Sequence, residues 1–502
     1  MLAEASSQGD VAFNAVLSRA VSAARAHHSQ LSDGQLSLGY DALPDHFAVL
    51  DEQFAARDIA PGEVVALECT TAVPGALILL YLLSRGFSLV LLPPRDATSQ
   101  SPVPGFCRWR LTVRSGVLSG AADIALDRPE TLLEIAEVAD HRPAFAAQAY
   151  AAGHLFLRTS GSIGTPKLAV YTHERLLGNA LHCIGRIRVT AQDRIAIPVP
   201  LAHMFGLGAG LLPGIAAGAS VRMIEGANLL RYLEHERAYR PTISFLTPAL
   251  CAMLVRQRSA PEHYRHVVVA GDALRREIFE ATELRCRRVL NLYGSTEMGV
   301  ISVADADSSE GPRSTTVGTP LPGVELRLDG VEDGVEAPDG AGVVACRHPY
   351  GFEGYVDGDG GAWTGEPALI DGWYRTRDLG RLHPGGFLEV LGREDHSVNR
   401  DGRLVVLAEV ERAMERLPGV ERAVTVLGAD QLRGRAIVAY CALRADGHGL
   451  DASRVREACV GVLPPYAIPD QVVITSALPL LANGKVDRKA LAAEASNRGR
   501  AP

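Results

Sequence analysis

The 502-residue sequence is short of several things. Its eight cysteines include no C-x-x-C pair, and a chain of this size has no need of a disulfide framework, so they read as small buried hydrophobes in a reducing compartment. It has no excess of positive charge: 50 Lys and Arg against 58 Asp and Glu leave a net −8, which gives no electrostatic reason to bind nucleic acid. The opening MLAEASSQGD has no apolar stretch of the secretory kind, so no signal peptide is expected. Only one uncharged run approaches the length of a membrane span, Leu201 to Ala219, and it contains His203, Pro213 and five glycines. A core segment is the expectation there, with no membrane span and a cytoplasmic location. Internal repeats and low-complexity segments are absent too.

What is present is ordinary globular composition, 47% hydrophobic and 22% charged. In the first half, short aliphatic runs alternate with helical ones. Val64–Leu67 and Ser88–Leu92 read as strands, with a helix over Pro74–Ser84 between them. The rhythm returns at Arg194–Val199, Ser220–Ile224, Thr242–Leu246 and His266–Ala270. These runs are apolar throughout and do not alternate, as in parallel strands covered on both faces, and they predict a large doubly wound α/β body. Near residue 390 the texture turns polar in GREDHSVNRDGR (Gly392–Arg403). A helix, two strands and a helix then follow, the pattern of a small α+β domain of about a hundred residues. The expected division is 1–393 for the N-terminal domain, 394–395 for a hinge and 396–502 for a mobile C-terminal domain.

Four further features carry chemistry. LRTSGSIGTPKLAVYT (Leu157–Thr172) gathers Thr159, Ser160, Gly161, Ser162, Gly164, Thr165 and Lys167 after a strand-like LFL. Glycines let backbone N–H groups converge on an anion, hydroxyls add donors, and a lysine adds a point charge. The stretch is not a Walker loop, and on its own a Gly/Ser run more often makes a surface turn. NLYGSTEMG (Asn291–Gly299) puts an aromatic ring, two hydroxyls and a carboxylate into one turn. GWYRTRDLG (Gly372–Gly380) runs on into GFLEVLGRED, and PLLANGKVDRKAL (Pro479–Leu491) completes the series.

In order and spacing these segments resemble the core motifs of the AMP-forming adenylating superfamily, which includes acyl- and aryl-CoA ligases, peptide-synthetase adenylation domains and firefly-type luciferases. The match runs from Val64 to Leu491 and looks most like the acyl- and aryl-CoA ligases. The resemblance implies that a carboxylate attacks the α-phosphate of Mg-ATP to give an acyl-adenylate and pyrophosphate, after which a thiol displaces AMP. It makes the Thr159–Lys167 loop the cradle for the β- and γ-phosphates, with Tyr293 on adenine, Thr296 at the α-phosphate and Glu297 as a Mg²⁺ ligand. Gly271, Asp272 and Ala273 of AGDAL match the segment beside adenine, next to Gly294. Asp378 and Arg393 match the ribose pair, and Lys485 the lysine that bridges carboxylate and α-phosphate. Asp395 falls at the hinge position, and Gly402 at the thiol tunnel. ATP, Mg²⁺ and CoA are the implied cofactors and co-substrates.

The region where amino-acid-activating relatives carry an aspartate is PLAHMFGLGAG here, without an acid. A buried substrate ammonium would go unpaired, so an α-amino acid is not the expected substrate. His203, Met204, Phe205 and Gly206, with Ser295 and Met298, are expected to line a mostly apolar pocket for an aryl or short-to-medium acyl acid. No fused carrier domain is recognisable, so the thiol is expected from CoA or a free-standing carrier protein. Three positions depart from the family pattern: Ile163, Leu168 and Arg377. They motivate an alternative, an adenylate-binding protein without turnover; a second alternative is an adenylating enzyme that passes its acyl group to an amine or hydroxyl.

Overall fold

The computed structural model of the chain describes residues 13–95, 102–114, 126, 128–144, 149–150, 153–159, 167–257, 263–331, 340–364, 368–400, 403–431, 434–444, 449–480 and 486–498. The chain divides into two compact units. One holds the sequence through Glu325 together with Cys346–Tyr374; the other holds Leu326–Ala345 and everything from Arg375 onward.

The large unit is an α/β body, as the apolar runs predict, but it is built on two sheets. One has nine strands, with a parallel centre in the order Arg288–Ser295, His266–Val269, Ile243–Leu246, Arg194–Ile197, Ser220–Met223 and Gln30–Ser32. The other has seven, and Val64–Glu68 pairs in parallel with both Ser88–Leu92 and Trp109–Val113 at its centre. Val64–Glu68 and Ser88–Leu92 are buried at every residue, which accounts for their lack of alternation. The helix Val73–Ser84 is also buried along its whole length and touches strands of both sheets, so it has no polar face. Leu201–Ala219 is the expected core segment: a π-helical stretch Phe205–Leu211 runs into the helix Leu212–Ala216, both largely buried. Among the described residues no helix is long and apolar enough to cross a membrane. Seven of the eight cysteines are buried and all eight are unpaired.

The smaller unit contains the α+β pattern read from the sequence. Val420–Gln431 and Gly434–Leu443 pair antiparallel, and Gln471–Ile474 adds a parallel strand. The helices Leu407–Glu415 and Arg488–Arg498 pack on Val420–Gln431, and Ala452–Cys459 packs against Gln471–Ile474. The core joins Val410, Met414, Ile437, Cys441 and Val455. Ahead of this sheet, the hairpins Trp373–His383 with Phe387–Arg393 and Ser397–Arg400 with Arg403–Val406 hold the segment expected to contain the hinge.

Candidate active site

Within the large unit, three expected site segments leave the carboxyl edge of one parallel sheet. Pro200–Gly206 follows Arg194–Ile197, Gly271–Ala273 follows His266–Val269, and Thr296–Met298 follows Arg288–Ser295. Open parallel sheets bind ligands at this edge.

The turn Tyr293–Gly299 is held from several sides. Gly294 lies where a Cβ would come within 2.2 Å of the Gly299 carbonyl oxygen, and Gly299 has φ +64° with Asn179 packed over it, so neither position accepts a side chain easily. The Ser295 hydroxyl accepts from the Met298 N–H at 3.0 Å, and the Tyr171 hydroxyl donates to the Thr296 carbonyl at 2.9 Å. Asn179 is fully buried; it donates to the Met298 carbonyl at 3.2 Å and accepts from the Val300 N–H at 3.1 Å. His348 takes the Tyr350 N–H on Nδ1 at 2.9 Å and points Nε2 at the Val300 carbonyl at 3.0 Å. The Asn179 amide nitrogen also lies 3.0 Å from Nε2, so three polar groups meet this ring.

Glu297 sits in this turn, 8% exposed, and its Oε1 accepts from the Tyr355 hydroxyl at 2.7 Å. Burial, and then the charge of Glu297, pushes the Tyr355 phenol far above its ordinary range, so it remains a donor. A buried carboxylate oxygen fits a hard cation such as Mg²⁺. Among the described residues no group of three or more His, Cys, Asp or Glu side chains gathers as a metal ligand set. Tyr293, in the strand Arg288–Ser295 that leads into the turn, is buried at 9%.

The expected phosphate cradle is the connection of a β-hairpin. His154–Arg158 pairs antiparallel with Lys167–Thr172, and the Thr159 N–H donates to the Lys167 carbonyl at 3.4 Å. Ser160, Gly161, Ser162, Ile163, Gly164 and Thr165 lie outside the described residues. Of the two that flank them, Thr159 has a buried hydroxyl without a hydrogen-bond partner among the described residues. Lys167 places Nζ 3.6 Å from the centroid of the Tyr355 ring and 5.5 Å from that of Trp363. Leu168, where the family pattern has glycine, is buried in the core with Phe106 and Phe156 and does a packing job.

Met204 is buried and lies along its own helix, its sulfur 2.5 Å from where a Cβ at Gly208 would be. Phe205 stacks edge-on against Phe245, with centroids 5.8 Å apart. Gly206 comes so close to the Pro200 carbonyl that a Cβ would lie 2.3 Å away. His203 is exposed, as are Gly271, Asp272 and Ala273. Gly271 has φ +96°, and the Asp272 carboxylate accepts from the Ala273 N–H at 2.8 Å.

In the smaller unit, Asp378 and Arg393 are register partners on adjacent strands. The Arg393 Nη1 lies 3.5 Å from Asp378, and its Nε donates to Asp395 at 3.2 Å. Burial would raise the Asp395 pKa, but the Arg393 hydrogen bond and charge outweigh it and hold the carboxyl below its ordinary value. Arg377, the third departure, has φ +63°, the left-handed conformation that suits the family's glycine. Gly402 and Lys485 lie outside the described residues. Both flanks of Lys485 are pinned, since Leu480 and Val486 form a bridge and Arg488 grips Glu411 with two hydrogen bonds of 2.6 and 2.8 Å.

Sequence reasoning passed over Tyr171, Asn179, His348, Tyr355 and Glu411. Asn179 alone leaves a local trace, as an amide set into the apolar stripe of Leu176, Leu177, Ala180, Cys183 and Ile184.

Comparison with known proteins bears on the family. The sequence model described as AMP-binding enzyme matches residues 126–356, and the one described as AMP-binding enzyme C-terminal domain matches residues 409–485. The indoleacetate–CoA ligase of Aromatoleum aromaticum is 29% identical over 340 residues, 66% of this chain and 65% of that protein. A protein named as a probable non-canonical nonribosomal peptide synthetase, CymA of Salinispora arenicola, is 29% identical over 500 residues, 94% of this chain and 6% of its own length. The chain thus spans less than two thirds of either relative. The solved structure of ATP-bound MatB from Rhodopseudomonas palustris shares the fold with a TM-score of 0.74 at 21% identity, covering 93% of this chain and 96% of that one. Two models of one enzyme class match in sequence order over more than half of the residues, and on that footing the chain belongs to the AMP-binding enzyme family.

Proposed function

We propose that the protein is an AMP-forming acid–thiol ligase, which activates an aryl or short-to-medium acyl acid with Mg-ATP and passes the acyl group to a thiol, CoA in the first instance. One observation carries this reading: the hydrogen-bonded segment Tyr293–Gly299 carries Tyr293, Thr296 and Glu297 at the carboxyl edge of the sheet, with the Glu297 carboxylate buried and held at 2.7 Å by Tyr355. In the first step a substrate carboxylate oxygen bonds to the α-phosphorus as the bond to the pyrophosphate oxygen breaks, and pyrophosphate leaves. In the second, the thiol sulfur bonds to the acyl carbon, AMP departs with its phosphate oxygens, and the thiol proton goes to solvent.

Tyr293 offers its ring to adenine, while Thr296 meets the α-phosphate. Thr159, Lys167 and the hydroxyl and glycine residues between them supply donors and one ammonium to the outer phosphates. Asp378 and Arg393 take the ribose hydroxyls, and Lys485 neutralises the charge that builds between carboxylate and α-phosphate. Glu297 would hold magnesium, whose charge would neutralise the phosphates when bound. Rotation at Asp395 withdraws Lys485 and brings up Gly402 for the thiol step, and His203, Met204 and Phe205 wall the acid's tail. The wall has no acidic residue to meet a substrate ammonium. A cytoplasmic location goes with this reading.

The name of the indoleacetate relative supports an aryl acid and CoA. Similarity to the peptide synthetase along 94% of the chain supports a second acceptor, a free-standing carrier protein. The test is acid-dependent exchange of pyrophosphate into ATP, without thiol, over a panel of aryl and aliphatic acids. Exchange with aryl acids is expected. Measurable ATP binding with no exchange on any acid would favour the adenylate-binding protein without turnover.

A further inference from the structure

Lys167 and Tyr355 stand two register positions apart on neighbouring antiparallel strands, since Lys167 pairs with Asp357 and Ala169 with Tyr355. Side chains in that diagonal relation share one face of a sheet and reach each other. Here the lysine's ammonium lies 3.6 Å from the centre of the tyrosine ring, with the Trp363 ring closing a second side at 5.5 Å. The two rings are 5.6 Å apart, and Phe352 meets the Tyr355 ring edge-on at 4.9 Å. Aromatic rings so placed attract a cation through their electron-rich faces, more strongly where water is excluded.

The other end of Tyr355 makes a different bond. Its hydroxyl donates to Glu297 Oε1 at 2.7 Å and lies 3.3 Å from the Tyr374 hydroxyl. One side chain therefore touches both the lysine at the end of the phosphate hairpin and the carboxylate assigned to the metal. Core packing alone would call for neither the hydroxyl nor the ammonium.

We infer that Tyr355 is a positioning residue for Mg-ATP: its hydroxyl fixes the rotamer of Glu297, and its ring, with Trp363, seats Lys167 where the outer phosphates arrive. The inference rests on the functional reading above. The hydroxyl acts through Glu297 and so governs the magnesium-dependent part of nucleotide affinity. The ring acts through Lys167 and governs the part that needs no metal.

Titration calorimetry with the full chain separates the two, using ATP with magnesium and ATP with a chelator. Tyr355→Phe keeps the ring and is expected to weaken Mg-ATP binding about tenfold, the scale of one hydrogen bond to a charged group. Binding of metal-free ATP should stay at the level of the unaltered protein. Tyr355→Leu, or Trp363→Leu should that variant not fold, is expected to weaken metal-free ATP as well, several-fold. Tryptophan emission gives a second readout: Mg-ATP should change it in the unaltered protein, and Trp363→Phe should abolish that change. Equal loss with and without magnesium in Tyr355→Phe, or no loss in either, would overturn the inference while the functional reading stood. Failure of the unaltered chain to bind Mg-ATP would overturn both.

Discussion

The guanidinium of Arg393 stands between two carboxylates, with Nη1 3.5 Å from Asp378 and Nε donating to Asp395 at 3.2 Å. The first is its register partner across a hairpin; the second lies two residues on, in the short turn Glu394–His396. One arginine thus ties the expected ribose site to the expected hinge, so that a rotation at Asp395 would be felt by the group proposed to hold the ribose.

If Asp395 is the pivot, Asp395→Pro is expected to leave acid-dependent pyrophosphate release close to that of the unaltered enzyme and to block thioester formation, because proline fixes φ near −65° and removes the freedom a hinge needs. The two half-reactions are assayed separately, the second from supplied acyl-adenylate. Unimpaired thioester formation would end the claim for a pivot at this residue.

Arg377 occupies the left-handed region at φ +63°, next to Asp378. A side chain with a Cβ carries about 1–2 kcal/mol of strain there, and part of that relief is offset by the greater freedom glycine has in the unfolded chain. Arg377→Gly is expected to stabilise the protein by up to about 1 kcal/mol, read from the midpoint of denaturant unfolding. A lowered midpoint would mean that the arginine makes a contact worth more than the strain.

Much of this architecture could be read locally. Val64–Glu68 and Ser88–Leu92 announce themselves as unbroken apolar runs, and the helix over Val73–Ser84 differs from the expected one only at its first residue. The turn Tyr293–Gly299 was visible because its chemistry is contiguous. The division into two sheets was not, since strand partners far apart in sequence leave no periodic trace. The groups that brace the turn were hidden for a related reason: Tyr171, Asn179, His348 and Tyr355 reach it from tens of residues to more than a hundred away, and all but Asn179 resemble ordinary core side chains. Arg377 is the reverse case. It stood out as a departure from the family pattern, but only its backbone angle shows what the departure costs.

Acid should destabilise the large unit well above the carboxylate range. Burial pushes His173 and His348 down to about 4, with His154 adding to the effect on the first and His182 on the second. Their unfolded values lie near 6.5, so the folded state disfavours the protonated ring. Each contribution is complete above about pH 6.5 and fades as pH falls toward 4, by up to about 3 kcal/mol per histidine. Unfolding midpoints measured from pH 7.5 to pH 5 are expected to fall steadily. His348→Gln should flatten the slope, and a flat profile in the unaltered protein would remove both histidines from the account.

The described residues on either side of the lysine proposed for the first half-reaction make several hydrogen bonds. Arg488 meets both oxygens of Glu411, at 2.6 and 2.8 Å, and Glu411 Oε1 also accepts from the Thr425 N–H at 2.7 Å. On the same side, the Asp487 carboxylate accepts from the Ala490 N–H at 3.0 Å, and the Asp487 N–H donates to the Pro479 carbonyl at 2.8 Å. The strand ends on either side of Lys485 are therefore fixed relative to the sheet beneath them. Glu411→Gln replaces one acceptor oxygen by an amide that faces the guanidinium and cannot accept from it, which breaks the two-pronged grip. If that grip places Lys485, the variant should lose about tenfold in acid-dependent pyrophosphate release, by the same scale of one charged hydrogen bond. Its ATP affinity and its thiolysis of supplied acyl-adenylate should hold, because neither step uses the lysine. A matching loss in thiolysis would show that Glu411 supports the fold of the small unit in general and does not position the lysine.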